Sequence, residues 1–140
     1  MNITDKIIEL SNSLEQHTLE IRRKIHSNPE LSFKEFETSK LVCQELDRIG
    51  IPYEKSPVEP GIIATIDTQR PGKFVMLRAD MDALPLQETA DLPFASKNAN
   101  VMHACGHDVH TSNLLAVGEI LNSTKEMWNG KVKLVFQPAE

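Results

Sequence analysis

The stretch Lys73-Phe74-Val75-Met76-Leu77-Arg78-Ala79-Asp80-Met81-Asp82 decides how the fold is read. Residues 73–77 form a short apolar run that reads as a strand, and two carboxylates follow it two positions apart. Alternate residues of an extended segment share a side, so Asp80 and Asp82 project together near the carboxyl end of that strand. Open α/β sheets place their ligands at that end. Two close carboxylates repel unless a cation or a shared proton relieves them. A solvated acidic turn is the bland alternative.

Outward from this strand, helical and extended patterns alternate. Ile7, Leu10, Leu14, Ile21 and Ile25 predict a helix over residues 3–26, broken by Asn28-Pro29. A second helix is expected from Ser32, with Ser32 and Glu35 as an S-x-x-E capping box. Its apolar stripe would run through Phe33, Phe36, Leu41, Val42 and Leu46, and Gly50 before Ile51-Pro52 would end it. Residues 61–66 read as a strand adjacent to 73–77, the two joined by a polar turn. Residues 85–104 show no period, and long connections of this kind are often functional. A third helix over about 109–122 and a strand over 131–136 complete an α/β layered pattern.

The 140 residues suffice for one domain, and a net charge of −5 argues against nucleic acid as the main partner. No apolar run approaches the roughly 18 residues of a membrane span, and no signal-peptide pattern opens the chain. Two cysteines are too few for a disulfide scaffold and fit a reducing, cytoplasmic setting. Cys43 lies on an apolar helix stripe and reads as core. His17 and His26 lack ligand-like neighbours and read as surface positions.

Two further clusters carry chemistry. His103-Ala104-Cys105-Gly106-His107-Asp108-Val109-His110 packs three histidines and a cysteine into eight residues. Thiolate and imidazole are preferred zinc ligands, and an extended loop would aim Cys105 and His107 at one ion. Asp108 could cap the helix that follows or hold the outer nitrogen of a ligand histidine. His103 and His110 read as supporting or simply exposed residues. The last cluster, Gln137-Pro138-Ala139-Glu140, puts a carboxylate just past a buried strand, where it could serve as general base for water activated by a metal. Phosphate-loop, dinucleotide and serine-elbow patterns are absent.

Taken in order, residues 21–33, 77–85, 102–111 and 135–140 resemble four motifs of the metal-dependent N-acyl-amino-acid amidohydrolases. That family includes hippurate hydrolase and the auxin-conjugate hydrolases, within the zinc-exopeptidase superfamily. The resemblance implies a three-layer αβα catalytic domain, of which residues 1–140 would be an incomplete amino-terminal portion without the lid domain. It implies two divalent ions, zinc or manganese, with Cys105 and His107 as ligands. Asp82 would be the supporting carboxylate of the catalytic machinery and Glu140 the general base. Asp80 stands where related exopeptidases have a ligand histidine, and Asp108 and His103 would support the ligands. The implied reaction is hydrolysis of the amide bond of a small N-acyl amino acid, and a homo-oligomer is left open. A second glutamate, two further histidines and the lid lie outside the 140 residues. The chain alone is therefore expected to be inactive and to hold metal weakly or in altered geometry. A dipeptidase or aminoacylase of the same superfamily, or a non-catalytic truncated fragment, are the alternatives.

Overall fold

The first helix, α1 (Ile3–Ser27), starts where the Asn2 side chain accepts the Asp5 N–H at 2.9 Å. This computed structural model describes residues 1–140. Only the last part of α1 is buried, at Ile21, Ile25, His26 and Ser27; Ile3 and Ile7, nearer its start, are exposed.

The second helix, α2 (Phe36–Ile49), begins four residues later than the expected capping box. Phe33 takes a left-handed φ of 63°, which interrupts a helix at that point. Ser32 donates instead to Asp82 Oδ2 at 3.0 Å, and Glu35 turns inward. Glu30 takes over the capping role, accepting the Glu37 and Thr38 N–H groups at 3.0 and 2.7 Å. Phe33 and Phe36, expected in the apolar stripe, are exposed, while Val42 and Leu46 are fully buried. Gly50 ends α2 as expected, with φ 81° and its N–H on Leu46 O at 2.9 Å.

The strands are β1 (Tyr53–Lys55), β2 (Ile62–Asp67), β3 (Phe74–Asp80) and β4 (Lys131–Gln137). Their order is β1-β2-β4-β3, so the strands expected to be neighbours are separated. The last strand enters between them, antiparallel to β2 and parallel to β3, after the chain has crossed over through α3 (His107–Ser123). Val132, Leu134 and Phe136 pair with Ile66, Ala64 and Ile62, which makes β4 the buried centre of the sheet. Where β4 begins, it crosses the turn before β3 so closely that a Cβ on Gly130 would collide with the Lys73 backbone.

All three helices lie on one face of the sheet. A core of 15 residues joins Ile21, Ile25, Val42 and Leu46 to Leu114, Leu115, Leu134 and Phe136, each burial contributing roughly 1.5–3 kcal/mol for a large side chain. Gly118 lets α3 approach β4, since a Cβ there would lie 2.7 Å from Leu134 Cδ1. These residues thus supply a helical layer and the sheet. On the opposite face Phe74 and Met76 are exposed. Cys43 is partly buried against the core, as expected. No helix is long and apolar enough to cross a membrane.

Glu45 ties the helices together. It accepts from His17 Nε2 at 2.7 Å and Arg48 Nε at 3.0 Å, and Arg48 Nη2 reaches Glu119 of α3 at 2.6 Å. Burial pushes the Glu45 carboxyl up, but the hydrogen bonds from His17 and Arg48 outweigh it and hold the pKa below the ordinary value. A carboxyl with a depressed folded pKa stabilises fully above its unfolded pKa and loses that contribution as pH falls through the folded value. We expect E45Q to cost about 1 kcal/mol at neutral pH and to flatten the loss of stability below about pH 4. Urea unfolding from pH 7 down to 3 would check this; parallel curves for both proteins would contradict it.

Candidate metal centre

Three segments end together at the carboxyl end of the parallel β3–β4 pair. Beyond β3, the Met81 N–H continues the ladder onto Gln137 O at 2.9 Å, which carries Asp80 and Asp82 alongside the exit of β4. The Thr111 hydroxyl donates to Asp80 O at 2.8 Å and docks the start of α3 on the same point. Asp80, Asp82 and His107 are all buried.

His107 is held in one orientation. Its Nδ1 lies 2.8 Å from the Asp82 carbonyl oxygen and 3.1 Å from Asp82 Oδ1. A carbonyl only accepts, so Nδ1 carries the hydrogen, and in the neutral ring Nε2 presents its lone pair. That Nε2 faces Asp80 Oδ2 at 3.5 Å and Glu140 Oε2 at 3.2 Å. A lone pair opposed by two carboxylate oxygens is an arrangement that a divalent cation relieves.

Ligand atoms of Asp80, His107 and His110 lie within 4.8 Å of one another. His110 Nδ1 donates to Asp80 Oδ1 at 2.7 Å, and Arg78 Nη1 sits 3.3 Å from Asp80 Oδ2. Burial pushes the Asp80 carboxyl up, but the His110 hydrogen bond and the His107 field more than reverse this and keep it ionised. Two imidazoles and an ionised carboxylate suit zinc or manganese. His107 and His110 are three apart on α3 and so share a face, a signal present in the sequence that the reading of an extended loop passes over.

Cys105 stands outside this group and is exposed. Gly106 adopts φ 86° and His107 opens α3, so the segment is not the extended loop that would aim Cys105 and His107 to one side. Asp82 lies behind the His107 ring, on its Nδ1 side. Glu140 is half exposed, and its own N–H donates to Asp82 Oδ1 at 3.1 Å.

The Asp108 carboxylate neither caps α3 nor hydrogen-bonds to the His107 ring. Gly106 is the N-cap, with no side-chain hydrogen bond, and Asp108 turns to α1, where Arg22 Nε and His26 Nδ1 each donate at 2.8 Å. His26, expected at the surface, is 4% exposed because the irregular segment folds over it. Its Nε2 lies 2.8 Å from Glu88 Oε1, and Phe94 packs edge-on at 5.4 Å. The Ser96 N–H and His26 lower the pKa of Glu88. Asp108 is also lowered: burial opposes, and the His26 hydrogen bond prevails. His103 is buried with neither ring nitrogen partnered, and burial pushes its pKa down to about 4, leaving it neutral at pH 7.

H107Q should weaken binding of zinc or manganese at least about tenfold, and D80N comparably, in competition with a chromogenic chelator. Unchanged affinity in H107Q would dismiss the group as a metal centre.

Residues 76–140 match the model of peptidase family M20/M25/M40. The chain is 47% identical to thermostable carboxypeptidase 2 of Saccharolobus solfataricus, over 100% of this chain and 36% of that protein. It is 45% identical to hippurate hydrolase of Campylobacter jejuni, over 100% of this chain and 35% of that one. The solved structure of the Bacillus subtilis YXEP protein, described as a dinuclear metal binding peptidase from the M20 family, superposes with a TM-score of 0.88. That match has 41% identity and covers 92% of this chain and 36% of the other. The chain therefore spans about a third of the length of the curated relatives it matches. In sequence and in backbone, then, these residues match the M20 peptidase family.

Proposed function

We propose that the protein to which these residues belong is a metal-dependent amidohydrolase of N-acyl amino acids, and that residues 1–140 are the amino-terminal portion of its catalytic domain. The observation that carries this reading is the meeting of Glu140, His107 and Asp80, with Asp82 fixing the His107 ring behind them. His107 and Asp80 would hold a divalent ion, zinc or manganese, with His110 or the exposed thiol of Cys105 beside them. A second ion would complete the site. When bound, the ions would polarise the scissile carbonyl and lower the pKa of water.

The chain's own residues supply the rest. Glu140, half exposed beside His107, can take a proton from the attacking water and return it to the leaving amine. Asp82 keeps the His107 hydrogen on Nδ1, so Nε2 stays available as a ligand. Arg78 lies against Asp80 and holds that carboxylate in place. Two free cysteines support a reducing, cytoplasmic setting.

The likeness to a carboxypeptidase favours a second reading, a peptidase of the same superfamily. A peptide is itself an N-acyl amino acid, so the chemistry is shared and only the acyl group differs. A panel of hippurate, N-acetyl amino acids and blocked dipeptides, read by ninhydrin, separates the two. We expect the 140 residues alone to show no turnover. We expect a longer protein carrying them to cleave the simple N-acyl amino acids with zinc or manganese, to lose activity to a chelator, and to lose about 10²–10⁴-fold in kcat in E140Q. Metal-independent activity, or an E140Q variant as fast as the parent, would overturn this reading.

A further inference from the structure

Glu35 lies immediately before α2 and is fully buried. It makes no helix-capping hydrogen bond; Glu30 does that work. Its Oε1 instead accepts the Ala139 N–H at 2.8 Å, across 104 residues of sequence, and its Oε2 has no partner. Burial raises the Glu35 carboxyl, partly offset by the Ala139 N–H, and the nearby Asp82 charge raises it further. A buried carboxyl costs stability compared with an apolar side chain of similar size, so packing alone does not account for it.

What it grips is informative. Ala139 has a φ of 52°, in the left-handed region that a residue with a Cβ seldom enters. On one side of this bend the Ala139 N–H is held by Glu35, and on the other the Glu140 N–H is held by Asp82 Oδ1 at 3.1 Å. Two consecutive amides are therefore clamped by two carboxyls arriving from different parts of the fold. Pro138 is also seated closely, its Cδ 3.0 Å from where a Cβ on Gly61 would stand. The bend between the clamps sets the direction of the next side chain, which brings Glu140 Oε2 to 3.2 Å from His107 Nε2.

We propose that Glu35 is a positioning residue for Glu140: its buried carboxyl holds the Ala139 amide and, with Asp82, fixes the left-handed bend that aims Glu140 at His107 and Asp80. The proposal rests on the reading of Glu140 as general base. Its structural half stands independently.

The test compares E35L, which removes the acceptor, with E35Q, which keeps one oxygen acceptor without the acid. Amide hydrogen exchange of the isotopically labelled 140-residue chain is the first readout. E35L should speed exchange at Ala139 and Glu140 about tenfold or more relative to Val132 and Leu134, and E35Q should restore protection to within about threefold. Equal acceleration at all four amides, no change at 139 and 140, or an E35Q variant as poor as E35L would overturn it. Should E35L not fold, the unmodified chain decides: coupling through the hydrogen bond from the Ala139 nitrogen to the Glu35 side-chain carbon supports the clamp, and its absence overturns it. In a longer, active protein, E35L should lower kcat about 10²-fold with KM within about twofold, and E35Q should recover most of it. An unchanged kcat would also overturn the proposal. Inactivity of the unmodified longer protein would instead sink the hydrolase reading and leave the exchange result standing.

Discussion

The carboxylate of Asp82 is the joint at which four pieces of chain meet. It sits just beyond β3, accepts from Ser32 of the turn before α2, from His107 at the head of α3, and from the Glu140 amide beyond β4. Each bond taken alone is ordinary. Together they fix the relative placement of segments far apart in sequence, inside a buried pocket where an unmade bond to a charged group is costly. The tautomer of His107, the placement of Glu140 and the late start of α2 all follow from where Asp82 directs its two oxygens and its carbonyl.

Sheet order explains why that joint lies where it does. A β3–α3–β4 crossover places two parallel strands side by side, so their carboxyl ends emerge together, with the amino-terminal end of α3 above them. Residues 61–66 and 73–77 are not direct neighbours, since β4 lies between them. By entering between them, β4 puts Gln137 opposite Asp80 and brings Glu140 within reach of His107.

Local patterns in the sequence carried most of the elements, but not the long-range partners. The stop of α2 at Gly50 and the strand that delivers Asp80 could be read from spacing alone. The capping box could not be judged, because Ser32 and Glu35 match the motif yet are drawn to Asp82 and Ala139 by contacts 50 and 104 residues away. For His26 the obstacle was the same: its burial depends on Glu88 and Phe94, in a segment without any period. Strand order was hidden because pairing with a strand more than fifty residues later leaves no mark in a short window. His110 differs, since its i,i+3 relation to His107 was visible and was obscured only by treating the segment as extended rather than helical.

The acids of this region divide into two sets by the groups they face. Asp108 and Glu88 have cations or ring nitrogens of their own in Arg22 and His26; Glu88 is held below its ordinary pKa first by the Ser96 N–H and then by His26, and Asp108 by His26 against the cost of burial. That set is closed, and it fastens α1, α3 and the irregular segment together. Asp80, itself lowered in pKa and holding His110 and Arg78, instead meets Glu140 at Nε2 of His107. The two sets touch at one peptide bond, between His107 and Asp108. Successive helical residues point about 100° apart, so one helix end directs Asp108 toward α1 and His107 toward the strands. The closed network thereby anchors the backbone from which the open one hangs. The hydrogen bonds of the first set thus help keep the His107 ring in one orientation within the second.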